Sequence, residues 1–236
     1  MRNTLKILQY NTDNFRYGFD YLVPLVRDVD LLFLQRVPKE QKSPLSVLSG
    51  YRVFMLESCP PSGACLAVAR TTQRFGFDDV EAIVLPSHDS VSAYPDTWQG
   101  CTALKVVIND VNFVNVLPAH EKKDDDGNVV ISDFLRKADV EFLLKRFKDE
   151  PTVIIGDFHV KPNAEGTNAA LEKYDFKSYI DDAKSFKCAP EKPAFNLDKC
   201  VSNIDITVDN IKVHTTPTDR GHFAITYDMC LPKLDK

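Results

Sequence analysis

A chain of 236 residues with 44% hydrophobic and 27% charged side chains is long enough to bury one full core and too apolar to stay disordered. No run nears the roughly 18 apolar residues a membrane span needs, and no signal-peptide pattern precedes the first strand, so a cytoplasmic setting (host cytoplasm if the source is viral) is expected. The net charge of −5 argues against a non-specific duplex-DNA binder, whose affinity comes from clustered Lys and Arg releasing counterions.

Alternating or continuous apolar runs predict strands at 5–11, 30–35, 51–56, 64–70, 79–84, 101–108, 111–117, 152–157, 203–208, 211–215 and 222–228. Helical spacing appears at about 17–28 and at 133–148. In the second helix Ser132 can cap the first amides, and Phe134, Leu135, Ala138, Phe142, Leu143 and Phe147 recur on one face. Its end carries the densest basic cluster, Lys145-Arg146-Phe147-Lys148, where cations offset the helix dipole. Asn109-Asp110 marks a hairpin turn. Residues 120–128, with Asp124-Asp125-Asp126-Gly127, read as a surface loop, because the alternating ligand spacing of a calcium loop is absent. The segment 183–202, with Pro190 and Pro193, shows no clear period. Many short strands, few separated helices and no linker or repeat predict one domain over 1–236, an α/β fold of two packed, mainly antiparallel sheets flanked by helices. The six cysteines are widely spaced and read as free and mostly buried; Cys59 and Cys65 bracket Pro60-Pro61-Ser62-Gly63, where a bridge is the alternative. No Cys/His spacing suits zinc.

The most informative stretch is Val153-Ile154-Ile155-Gly156-Asp157-Phe158-His159-Val160. Three apolar β-formers run into Gly156 and Asp157, which predicts a buried strand presenting a carboxylate at the rim of a sheet. Glycine before the acid lets another group approach the backbone closely.

This segment resembles the Gly-Asp-Phe-Asn strand end of the endonuclease/exonuclease/phosphatase superfamily, whose fold is the four-layer α/β sandwich of DNase I. Leu5 to Asp13 is similar to the family's first strand, ending in a metal-site Asn at Asn11, with Asp13 two residues on. Asp30 to Gln35 resembles the strand that continues into the family's metal-binding Glu. Ser202-Asn203-Ile204-Asp205 resembles its Arg-Ile-Asp-Tyr segment, and Gly221-His222-Phe223-Ala224-Ile225 its terminal Ser-Asp-His motif. The five segments keep family order from residue 5 to 227. The resemblance implies a hydrolytic site with His222, Asp157, His159 and Asp205 in catalytic positions, and magnesium held by Asn11, Asp13 and Asp157. All but Asp205, together with Arg36, are expected to converge in one cleft at the strand ends.

Four positions depart from the family. Arg36 stands at the metal-binding Glu, His159 at the Asn that positions water or phosphate, and Gly221 at the Asp that orients the terminal His. Leu117 stands where a phosphate-contacting His usually ends a strand, although His120 follows three residues later. Arg136 stands where the family often carries an Arg, but reads first as an exposed helical side chain.

Phosphodiester hydrolysis by this route needs a hard cation with oxygen ligands and a base for water. A guanidinium is permanently charged and ligates no metal. Like unit charges about 4 Å apart repel by about 4 kcal/mol at an effective dielectric of 20, and a divalent ion by roughly twice that. Arg36 is therefore expected to pair with Asp157 or Asp13 and to take the cation's place, leaving magnesium weakly held or absent. The first expectation is a catalytically degraded member that acts by binding a protein or nucleic-acid partner. The alternative is an active magnesium-dependent nuclease or phosphodiesterase with a rearranged site of Asn11, Asp13, Asp157 and His222. In a third reading Arg36 replaces the metal's charge in a phosphate- or nucleotide-binding module.

Overall fold

Alternating side chains along the strands place two sheets face to face. The computed structural model describes residues 4–13, 16–37, 51–55, 64–70, 79–87, 102–118, 122–123, 129–131, 133–159 and 165–233. One sheet contains β1 (Thr4–Asn11), β2 (Leu31–Val37), β3 (Tyr51–Met55), β4 (Ala64–Arg70), β14 (Thr207–His214) and β16 (Ala224–Cys230), in the order β14-β16-β1-β2-β4-β3. The other contains β5 (Val80–Val84), β6 (Thr102–Ile108), β7 (Val111–Leu117), β10 (Thr152–Asp157), β11 (Lys177–Ser178) and β13 (Asp198–Ser202), in the order β11-β13-β10-β7-β6-β5. The pairs β1–β2 and β7–β10 are parallel and the other neighbours in both sheets are antiparallel, so the sheets are mainly antiparallel, which is as far as the sequence expectation went. Two short ribbons, β8 (Lys122–Lys123) with β9 (Val129–Ile131) and β12 (Phe186–Lys187) with β15 (Gly221–His222), complete the described strands.

Period two decides which residues meet. Leu5 and Ile7 of β1, Leu31 and Phe33 of β2, Phe113 of β7 and Val153 and Ile155 of β10 join the core between the sheets. Their neighbours Leu8, Tyr10, Leu32 and Leu34 point the other way, onto Leu22 and Val26 of helix α1 (Gly18–Val26). On the far side Val114, Val116 and Ile154 meet Val140, Leu143, Leu144 and Phe147 of α2 (Asp133–Phe147) and Leu171 of α3 (Glu165–Lys173). Helix, sheet, sheet, helices: these are the four layers. No described helix is long and apolar enough to cross a membrane.

Buried amides tie the sheets together beneath the site. Gln35 Nε2 on β2 donates to Asn115 Oδ1 on β7 at 2.6 Å, and Asn115 Nδ2 donates back to Leu34 O at 3.0 Å. Gln9 Nε2 on β1 donates to Gly156 O and to Asp198 Oδ1, both at 2.9 Å, reaching β10 and β13. Each of these side chains is fully buried, so an unmade bond would leave a desolvated polar group, and the sheets are held in register there.

Several elements differ from the sequence reading. The strands expected at 203–208 and 211–215 are one strand, β14, with a register irregularity between Asp209 and Lys212 that absorbs Asn210 at φ +54°. β13 lies inside the segment that showed no period, and α3 carries too few apolar residues to signal a helix. In α2 Phe134 is 74% exposed, while Val140 and Leu144 take the buried face. The Asn109-Asp110 hairpin is as expected: φ is +52° and +64°, the conformation that matches the twist of the flanking strands. Cys188, Cys200 and Cys230 are free, exposed, buried and half-buried in turn. Ser132, His120, Cys59 and Cys101, with the side chain of Cys65, lie outside the described residues.

Candidate functional site

Three strands of the two sheets end side by side and deliver the polar cluster. Asn11 closes β1, Arg36 nears the end of β2 and Asp157 closes β10. Gly156 makes this possible: a Cβ there would lie 1.9 Å from Val116 O, so only glycine lets β10 lie this close to β7. The register of β2 against β4 shifts between Leu34 and Val37, and Arg36 adopts φ +53° within that irregularity. Its carbonyl accepts from Thr12 Oγ1 at 2.7 Å. Asp13 at φ +46° and His159 at φ +49° share the left-handed conformation, so three non-glycine residues around one cleft hold a backbone form that costs on the order of 1 kcal/mol each.

Asp157, fully buried, is the hub. Asn11 Nδ2 donates to its Oδ2 at 2.7 Å and His159 N to its Oδ1 at 3.0 Å. The Nδ1 atoms of His159 and His222 approach its two oxygens at 3.3 and 3.4 Å. Asn11 Nδ2 also lies 3.4 Å from His222 Nε2. An amide that donates to Nε2 leaves the ring proton on Nδ1, toward Asp157, and occupies the lone pair a base would use. Burial pushes the His222 imidazole down to about 4, against the opposing pull of Asp157. His159 falls to about 3, by burial and then by the Arg36 and Arg136 guanidinium charges. Both rings are neutral at neutral pH. His222 also packs on Phe186, ring centroids 4.7 Å apart.

Asn11, Asp13, Arg36, Asp157, His159 and His222 thus converge. Arg36 Nη1 lies 3.0 Å from Asp13 Oδ1, and Arg16 Nη1 3.5 Å from Asp13 Oδ2. Arg36 pairs with Asp13, one of the two partners expected of it. Arg136 is buried and donates from Nη1 to the His159 carbonyl; of its two readings the exposed one is corrected. Leu117 is buried in the core, and its strand sends Asn115 to Gln35 instead of a side chain to the cleft.

Asp205 is not brought to the site. Its side chain is 90% exposed and faces Lys177 at 3.4 Å. Asp198 comes instead: β13 pairs with β10 so that Asp198 sits opposite Asp157. Leu197-Asp198 and Ile204-Asp205 carry the same apolar-acid pattern, and only the pairing with β10 separates them. Burial, then the Asp157 charge, lifts the Asp198 carboxyl well above the usual range, with hydrogen bonds from Ser185 and Gln9 offsetting part of it.

The donor set does not fit magnesium. Both oxygens of Asp157 already accept hydrogen bonds, Asn11 turns its amide nitrogen to Asp157 and its Oδ1 to Asp13 N at 3.1 Å, and Asp13 faces two guanidinium groups. Among the described residues no three His, Cys, Asp or Glu side chains gather as a metal-holding set. The cleft above the cluster has a volume of about 360 Å³ and is lined by Arg16, Arg36, Lys187 and Arg220 against the single carboxylate of Asp13. Arg220 is exposed and has no carboxylate partner among the described residues, while Lys187 pairs with Asp219.

No protein-family model and no curated protein matches the sequence. Solved structures do. The endonuclease/exonuclease/phosphatase from Bacteroides vulgatus aligns at a TM-score of 0.73 and 14% identity, over 98% of this chain and 100% of that one. The mannosyl-6-phosphatase of Bacteroides thetaiotaomicron aligns at 0.67 and 15%, over 96% and 100%. The 3′ phosphatase NExo from Neisseria, bound to a product DNA hairpin, aligns at 0.68 and 14%, over 98% and 100%. At such identities the likeness is one of fold, and in a divergent sequence this chain carries the endonuclease/exonuclease/phosphatase fold.

Proposed function

We propose that this protein keeps the fold without metal-dependent hydrolysis and acts by binding a protein or nucleic-acid partner in the cleft at the strand ends. The observation that carries this reading is Arg36, whose guanidinium lines the cleft 3.0 Å from Asp13, at the position where the resemblance implies a metal-binding carboxylate. A fixed cation there repels a divalent ion and attracts an anion. The orientation of His222 supports the same reading, because the Asn11 amide lies against the Nε2 that a general base would need. Guanidinium forks match phosphate oxygens, and two structural neighbours are named for removing phosphate groups, which favours a phosphate-bearing partner.

Thermal unfolding with magnesium or with sodium at equal ionic strength tests the first half of the proposal. A cleavage panel of single-strand, duplex and small phosphodiester substrates tests the second. Neither a saturable magnesium shift nor Asp157-dependent turnover is expected. Robust metal-dependent cleavage that Asp157→Ala abolishes overturns the reading in favour of a nuclease or phosphodiesterase.

A further inference from the structure

A second concavity of about 590 Å³ adjoins the basic cleft, between α1 and the edge strand β14. Its walls are mostly apolar: Tyr17, Tyr21, Pro24, Leu25, Val213 and Pro217. Tyr17 connects the two. Its hydroxyl donates to Arg220 O at 2.7 Å, lies 2.9 Å from Thr218 Oγ1 and would stand 3.3 Å from a Cβ on Gly221; Arg220 and Gly221 both line the cleft. The Arg16 guanidinium, another cleft residue, sits 5.9 Å from the centre of the Tyr17 ring. The Tyr21 hydroxyl donates to His214 O and accepts from Ala224 N at 3.3 Å. Both phenol oxygens are therefore spent on the protein, which holds the rings in place and leaves their apolar surfaces to the groove.

We infer that the groove seats a nucleobase, and that cleft and groove together bind the phosphorylated end of a single-stranded nucleic acid without metal. The inference rests on the cleft being a partner-binding site, and it names the partner. Charge complementarity selects it over an apolar peptide: Arg16, Arg36, Lys187 and Arg220 line the cleft beside the aromatic wall, Arg16 and Arg36 share the one carboxylate of Asp13, Lys187 pairs with Asp219, and Arg220 has no carboxylate partner among the described residues. A terminal phosphate supplies the negative charge that Arg220 and the shared Asp13 leave unmatched, and the adjoining base offers a flat face to one of the two tyrosine rings, which are tilted 60° to each other. Base stacking supplies affinity that does not depend on a large basic surface, which suits a chain of net charge −5.

The test is fluorescence anisotropy in EDTA with two short single strands, both phosphorylated at the terminus and differing only in an abasic site at the terminal nucleotide. The intact strand is expected to bind about tenfold more tightly, as removal of one stacked base predicts. Arg220→Glu should weaken both strands. Pro217→Gln, which adds no charge, should weaken only the intact strand, so that the two affinities converge, and the equally neutral Thr215→Gln provides a second groove variant should Pro217→Gln fail to fold. Equal affinity of the two strands for the unmodified protein overturns the base seat, and if Arg220→Glu still weakens both, partner binding in the cleft stands. Binding of neither strand removes both. Groove variants that change self-association or peptide binding while the difference between strands persists also overturn the inference.

Discussion

Arg36 is the residue on which the chemistry turns, and reversing it makes the sharpest prediction. Arg36→Glu places a third carboxylate beside Asp13 and Asp157, so magnesium should now give a saturable rise in melting temperature, which the proposed function does not expect of the unmodified chain. A ligand at 100 times its dissociation constant stabilises by about 2.7 kcal/mol, and isothermal titration measures the affinity directly. Turnover should stay absent, because Leu117, His159 and Gly221 still stand at the departed positions and groups acting as a unit are not restored singly. The buried histidines predict acid sensitivity. Folded values of about 3 for His159 and about 4 for His222 lie below the ordinary 6.5, so their stabilisation is full above pH 6.5 and is lost as pH falls toward those values. Each contributes a slope of about 1.4 kcal/mol per pH unit in that window, and His159→Asn should flatten the acid limb in urea titrations taken across pH. Asp198 acts with the opposite sign. Its raised folded value means that stability present at low pH is lost as pH rises above the ordinary carboxylate value, so Asp198→Asn should gain on the unmodified protein over that rise. A difference in melting temperature that shrinks over that range would mean Asp198 is not the acid that keeps its proton. Asn11 and Asp157 are legible in the sequence because each ends an apolar strand, and His222 because an apolar strand, β16, follows two residues on, although His222 itself belongs to the short β15 and not to the strand expected at 222–228. Asp198 is not, because what singles it out is the residue across the ladder.

At the scale of elements, β10 shows how one small residue sets a strand's place. Gly156→Ala would drive a Cβ to within 1.9 Å of the Val116 carbonyl, against backbone that cannot swing aside. The expected cost is about 3 kcal/mol, the upper end for forced overpacking, read from the urea midpoint. An unchanged midpoint would mean that β7 and β10 can separate, and with them Asp157 and the cleft. The strands 64–70, 111–117 and 152–157 are found where the sequence places them, because their apolar runs have polar or turn residues on both sides. β13 escaped because it opens with Asp198 and Lys199, polar residues that tertiary pairing draws into the middle of a sheet. α3 escaped because Gly166, Thr167 and Asn168 dilute its nine residues below any readable period. The bulged part of β2 belongs here too, since it is the turn of the backbone that brings Arg36 to the cleft.

For the whole molecule, the reading predicts indifference to metal: EDTA and millimolar magnesium should leave the melting curve of the unmodified protein unchanged at fixed ionic strength. A saturable shift would restore the enzyme reading. A single α/β domain of two packed sheets was expected from many short apolar strands with few helices, and the layers follow, because period two sends alternate side chains to opposite faces wherever the chain folds. By itself the sequence determined most of the long strands, the layer architecture and the family segments around Asn11, Asp157 and His222, all local features that hydrophobic period and turn chemistry encode. The tertiary structure alone decided that Asp198 replaces Asp205 beside Asp157, that Arg36 takes Asp13 as its partner, and that Tyr17 joins an apolar groove to a basic cleft. The reason is physical: strand pairing, desolvation and charge partnership act between residues far apart in the chain, and no local pattern carries them.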